Sequence, residues 1–118
     1  MLFKIDTKNN FDILTPQMSR FHTKMAEELI TLCAQLQKND KSAIVDIVNI
    51  ETIDAESIPL LEQAHTQFYQ NNLSFAIATV IPSIKSQLPK DLNCTPTLIE
   101  AIDIISMEGL ERELMNDL

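Results

Sequence analysis

The sequence predicts an α/β fold, a mixed β-sheet of about four strands covered by about four helices. Three observations carry that expectation. Residues 43–50 are almost continuously apolar and rich in β-branched side chains, interrupted by Asp46 and Asn49, as in a strand buried on both faces. Residues 21–36 and 58–68 carry apolar side chains at helical spacing. Beyond an N-terminal hairpin, each predicted strand leads into a helix, an order that suits parallel strands joined by crossovers.

Taken in order, residues 3–6 and 11–14 read as two short strands joined at Lys8, Asn9 and Asn10, since Asn tolerates the left-handed turn conformation. Thr15 and Pro16 break the pattern. Met25, Leu29, Leu32, Cys33 and Leu36 then mark a helix that ends near Asn39 and Asp40. The buried strand at 43–50 comes next. A second helix presents Ile58, Leu61, Ala64, His65 and Phe68 on one face and stops at Asn71 and Asn72. Residues 73–80 form another buried strand, and Pro82 opens a short helix closed by Pro89. Thr97 and Glu100 make a capping box for the last helix. Its core face is Leu98, Ala101, Ile102 and Ile105, continued by a narrower stripe of Met107, Leu110 and Leu114, with Glu111, Arg112 and Glu113 solvated.

Composition narrows the function classes. The chain has 118 residues, 45% of them hydrophobic, enough for a sizeable core in one domain spanning residues 1–118. No apolar stretch approaches the roughly 20 residues of a membrane-spanning helix, and the N-terminal residues lack the pattern of a signal peptide, so a cytoplasmic protein is expected. A net charge of −8 opposes binding to nucleic acid or to an anionic membrane surface. It suits solubility, or an acidic face that steers a basic partner.

Enzyme chemistry finds little to work with. The one glycine, Gly109, lies inside a helical pattern, which rules out a phosphate-cradling loop or a dinucleotide fingerprint. The two histidines, His22 and His65, read as a surface residue near a helix start and a packing residue respectively. Cys33 sits on an apolar helical stripe and reads as a buried thiol, whereas Cys94 lies in a predicted loop; their spacing fits no metal or redox motif. No serine stands in a nucleophile motif. A phosphoaccepting receiver domain would need an acidic pair at the end of its first strand, which is missing. No cofactor and no metal are expected.

The segment from Asp46 to Ile58 resembles the STAS domain, the fold of bacterial anti-sigma-factor antagonists. In that family a buried strand ends in Asp, and a short stretch leads to Asp-Ser-Ser-Gly-Leu, whose second Ser is the phosphoacceptor. Asp46 and Asp54 match the two acidic positions without a gap, and Ile58 stands where the family has Leu. The intervening motif has become Asp54, Ala55, Glu56 and Ser57. The order of predicted elements is also similar to the family's over nearly the whole chain.

The resemblance implies a non-enzymatic module that works through protein contacts at the 54–57 turn, with Asp46 supporting the turn or the strand end. It implies a protein partner, a serine-kinase-type anti-sigma factor or a related signalling or transport complex. It places Glu56 at the phosphoserine position, so that a fixed charge replaces a phosphorylation switch. Ser57, in place of the family's Gly, is the one hydroxyl left for a relocated switch. Pro59 disfavours helical geometry at Ile58, so the helix starts either from Asp54 as its cap or from Ser57, with Pro59 in the first turn. On the first alternative the acids do no more than start a helix, with Glu56 set against the positive end of its dipole. An alternative role is a STAS-type domain that binds a nucleotide or small anion, or an accessory subunit of a membrane transport complex.

Overall fold

The structure is a computed structural model and describes residues 2–116. Its elements are β1 (Phe3–Thr7), β2 (Phe11–Pro16), β3 (Arg20–Phe21), α1 (Thr23–Lys38), β4 (Ser42–Asp46), β5 (Thr52–Ile53), a 3-10 turn (Ala55–Ser57), α2 (Ile58–Gln70), β6 (Phe75–Ala78), α3 (Pro82–Lys85), β7 (Asn93–Thr95) and α4 (Leu98–Asn116). The main sheet has the order β1-β2-β4-β6-β7. Its first pair is antiparallel and the other three pairs are parallel. A separate two-stranded sheet pairs β3 with β5 in parallel.

The alternation of side chains along each central strand divides the core into two layers. Ala43 and Val45 of β4 and Phe75 and Ile77 of β6 point to the layer that holds Leu29 and Cys33 of α1 and Leu61, Ala64 and Phe68 of α2. Ile44 of β4 and Ala76 and Ala78 of β6 point the other way, to Ala101 and Ile105 of α4. Both faces of β4 are therefore buried, which is why its sequence is apolar without a break from Ala43 to Val45. Complete burial without a nearby cation pushes the Cys33 thiol up to about 12.

α1 and α2 end alike. At the end of α1, Asp40 takes φ 55°, its N–H donates to the Gln37 carbonyl and the N–H of Lys41 to that of Leu36. At the end of α2, Asn72 takes φ 59°, its N–H donates to the Tyr69 carbonyl and the N–H of Leu73 to that of Phe68. These are Schellman closures with Asp and Asn in the left-handed position that glycine usually fills. The connection between β1 and β2 differs from expectation. Neither Asn9 nor Asn10 has a positive φ, and the turn closes through the N–H of Lys8 to the carbonyl of Phe11 at 2.9 Å.

Three other expectations are corrected. The strand predicted over 43–50 ends at Asp46, where the carboxylate accepts the N–H of Val48 at 3.3 Å and draws the backbone into a turn. Ile47 and Ile50 stay buried because that turn packs onto the core. Cys94 lies in β7, paired with Ile77, and is half-buried. His22 stands at a helix start as expected and caps α1, its Nδ1 accepting the N–H of Met25 at 3.2 Å. In α4 the inward positions beyond Ile105 are taken by Glu108 and Arg112, whose guanidinium donates to Ser74, while Met107, Leu110 and Leu114 face solvent. The predicted start of that helix is present, since Thr97 Oγ1 accepts the N–H of Glu100 at 3.1 Å.

The layer under α2 contains a stacked pair, Phe68 and Phe75, with ring centroids 5.6 Å apart. Both rings are fully buried. Phe75→Ala is expected to lower unfolding stability by about 3–5 kcal/mol, read from urea denaturation. A loss below about 1 kcal/mol would contradict this packing.

Candidate functional site

The C-terminal end of β4 opens towards the segment that carries the residues singled out in the sequence. Parallel α/β sheets place working residues at this edge, because the strand ends leave loops free of the ladder. Residues 47–50 form a turn, with the N–H of Ile50 donating to the carbonyl of Ile47 at 3.0 Å. β5 then pairs with β3, Arg20 opposite Thr52 and Phe21 opposite Ile53. The N–H of Asp54 extends that ladder to the carbonyl of Phe21 at 2.9 Å.

This small sheet brings a residue to the site that is distant in sequence. Arg20 donates from Nε and Nη2 to the two carboxylate oxygens of Asp54, each at 2.8 Å. The fork-on-fork geometry fixes the orientation of both groups. The bonds from Arg20 hold the Asp54 carboxyl below the usual carboxylate range, and the Asp54 carboxylate raises Arg20 in turn. Asp54 is thereby committed to Arg20 and makes no capping bond to the helix beyond it. Of the two starts open to α2, the structure shows the second: Ser57 is the cap residue and Pro59 lies in the first turn.

Ala55, Glu56 and Ser57 form the single 3-10 turn between Asp54 and α2. The N–H of Ser57 donates to the Asp54 carbonyl at 2.9 Å, so the turn closes on its own backbone. Within it the side chains diverge. Ala55 and Glu56 are exposed. Ser57 is 0% exposed, and its hydroxyl has no hydrogen-bond partner among the described residues. A hydroxyl packed in this way is closed to a kinase while the fold is intact, which counts against Ser57 as a relocated phosphoacceptor. Asp46 stands at the end of β4 with its carboxylate turned to Val48, and no hydrogen bond among the described residues joins it to the 54–57 turn. The structure therefore gathers Asp54, Ala55, Glu56 and Ser57 in one turn and adds Arg20, while Asp46 shapes the strand end.

Arg20 escapes sequence reasoning because a strand of two residues has no periodicity, and no local motif links it to Asp54. Elsewhere, Tyr69, Asn93 and Glu108 form a polar cluster, with the Tyr69 hydroxyl 2.5 Å from Glu108 Oε1 and Asn93 Nδ2 2.5 Å from that hydroxyl. Burial, then the bond to the Glu108 carboxylate, raises the Tyr69 phenol above its ordinary value. The cluster ties α2, β7 and α4 together. No group of His, Cys, Asp and Glu suited to hold a metal occurs among the described residues. None of their helices is long and apolar enough to cross a membrane.

Neither a family model nor a curated protein matches the sequence. Solved structures do match. A candidate anti-sigma factor antagonist from Thermotoga maritima superposes with a TM-score of 0.66, covering 88% of this chain and 94% of that one, at 16% identity. A structure of Mglu gives a TM-score of 0.55 at 10% identity, covering 75% of this chain but 20% of that one. This chain thus spans about a fifth of the length of Mglu. At these identities the likeness speaks for the fold, and the fold is STAS-like: a mixed sheet with helices on both faces.

The ion pair and the buried hydroxyl each lead to an expectation. The contribution of Asp54 is present above its unfolded pKa, about 3.9, and is lost as pH falls through its lower folded value. Asp54→Asn should therefore destabilise at pH 7 and converge with the parent in strong acid, as read by urea unfolding across pH. A difference that persists unchanged below the folded pKa would exclude the charge as its cause. Ser57→Ala removes a buried, unpartnered hydroxyl and should be neutral or stabilising by up to about 1 kcal/mol. A clear loss of stability would show that the hydroxyl is satisfied.

Proposed function

We propose that this protein is a regulatory interaction module of the anti-sigma-factor-antagonist kind, acting in the cytoplasm by binding and not by catalysis. Residues 1–118 act as one unit. The partner is a protein, a serine-kinase-type anti-sigma factor or a related signalling or transport complex, and it reads the surface formed by Asp54, Ala55, Glu56 and the head of α2.

One observation carries this reading. Glu56 is exposed on a closed 3-10 turn whose preceding residue, Asp54, is clamped by Arg20. A charge displayed on a preorganised turn is recognised with little ordering cost. Glu56 presents a constant −1 where a phosphoserine would add about −1.5 to −2. The binding state at this position is accordingly permanent and independent of a kinase. The STAS-like fold supports the same reading, as does the description of the Thermotoga maritima neighbour.

The test is affinity capture from native lysate with the parent protein, Glu56→Lys and Glu56→Ala, quantified by mass spectrometry. A kinase-like or transport-complex partner should be recovered by the parent and fall at least about tenfold with Glu56→Lys, the outcome of placing a wrong charge in an interface. Equal recovery by all three forms would move the interface away from this turn.

A further inference from the structure

We propose that the outer side of α4 is a second docking surface, and that its occupant is a cationic amphipathic helix of a partner protein. This surface is distinct from the 54–57 turn. The turn leads into α2 in one layer, and α4 covers the opposite face of the sheet.

Most of the large apolar side chains left exposed lie on this one helix. Ile99, Met107, Leu110 and Leu114 are 72%, 62%, 58% and 59% exposed. At 3.6 residues per turn they fall on one side of α4, and Ala101 and Ile105 fall on the other. The helix spans Leu98–Asn116, about 28 Å at 1.5 Å per residue, so the stripe runs along most of its length. A core helix needs one apolar side, and α4 has two. A second, solvent-facing stripe on an ordered helix is the signature of a helix that receives another helix.

Charge identifies the occupant. Asp103 stands within the stripe, with Glu100 and Glu111 along one margin and Glu113 along the other, all exposed. The one basic residue of α4, Arg112, is turned inward, its guanidinium donating to Ser74 and lying 3.9 Å from Glu108. The last turn carries no basic residue, so the negative end of the helix dipole is uncompensated by side chains there. Beside Glu111 lies an open cleft of about 390 Å³ lined by Tyr69, Asn72, Glu108, Glu111, Arg112 and Met115, with Asn116 at its end. Glu108 is engaged there by Tyr69, Asn93 and Arg112, so Glu111 is the carboxylate left to meet a lysine ammonium, with the Met115 thioether beside it for the aliphatic stem. A second copy of this chain would set acidic margins against acidic margins, in a protein of net charge −8. An anionic lipid surface is opposed by the same charge.

The test measures fluorescence anisotropy of labelled helical peptides of equal length and one pattern, Leu/Lys, Leu/Glu and Ser/Lys, against the intact protein. The Leu/Lys peptide should bind at least about tenfold more tightly than either control, since both the apolar and the charged components are required. Leu110→Ser with Leu114→Ser should weaken it by a similar factor, while Met18→Ser with Val80→Ser should leave it unchanged. All these positions are exposed, so circular dichroism and urea unfolding should show both double variants folded. Glu56→Lys should bind the peptide as the parent does, which separates this surface from the turn. Equal binding of Ser/Lys or Leu/Glu, or full binding by the α4 double variant, would overturn the proposal. So would a concentration-dependent dimer, or flotation with phosphatidylcholine vesicles, that the α4 double variant abolishes. Those outcomes would assign the stripe to a second copy or to lipid.

Discussion

Burial of β4 on both faces is the constraint that organises the whole molecule. Ala43, Ile44 and Val45 are all inaccessible to solvent, and a strand in that position must be paired on both edges and covered on both sides. β2 and β6 supply the edges. α1 and α2 supply one cover and α4 the other. Parallel pairing of β4 with β2 and β6 in turn requires crossovers, and α1 and α2 are those crossovers. The small side chains of β6 on the α4 side, Ala76 and Ala78, meet Ala101 and Ile105 and let the helix lie close to the sheet.

The same strand delivers the site. Asp46 ends it by offering its carboxylate to the backbone two residues on, and the chain leaves the main sheet there. The segment beyond is held by different means, a two-residue ladder and a forked ion pair. The 54–57 turn is therefore rigid without belonging to the main sheet. The side chains that face outward from it are Ala55 and Glu56.

The large elements are legible in the sequence, for a physical reason in each case. β4 is visible because burial on both faces makes it continuously apolar, and α1 and α2 because burial of one face imposes a period of 3.6 on apolar residues. The ends of α1 and α2 are visible because Asn and Asp are the side chains that tolerate the left-handed closure. The 54–57 turn, the contiguous part of the candidate site, is picked out in the sequence by the spacing of Asp46, Asp54 and Ile58. Arg20 is not, since pairing across 34 residues leaves no local trace. The outer stripe of α4 passes for core in the sequence because periodicity reports that residues share a side, and not which side faces the sheet. Glu108 and Arg112 take the inward places by bonding to Tyr69, Asn93 and Ser74, which leaves Met107, Leu110 and Leu114 outside.

The order of covers along the chain has a consequence for biosynthesis. α1 and α2 each lie between the strands they bridge, so the first face of the sheet is covered by helices that precede β6. α4 comes after all of the strands it covers. Until it is made, Ile13, Ile44, Ala76 and Ala78 lie on an open apolar face, the kind of surface that binds chaperones or aggregates. A chain cut between β7 and α4 would thus be a half-sealed sheet, and docking of α4 is the step that covers Ile13, Ile44, Ala76 and Ala78.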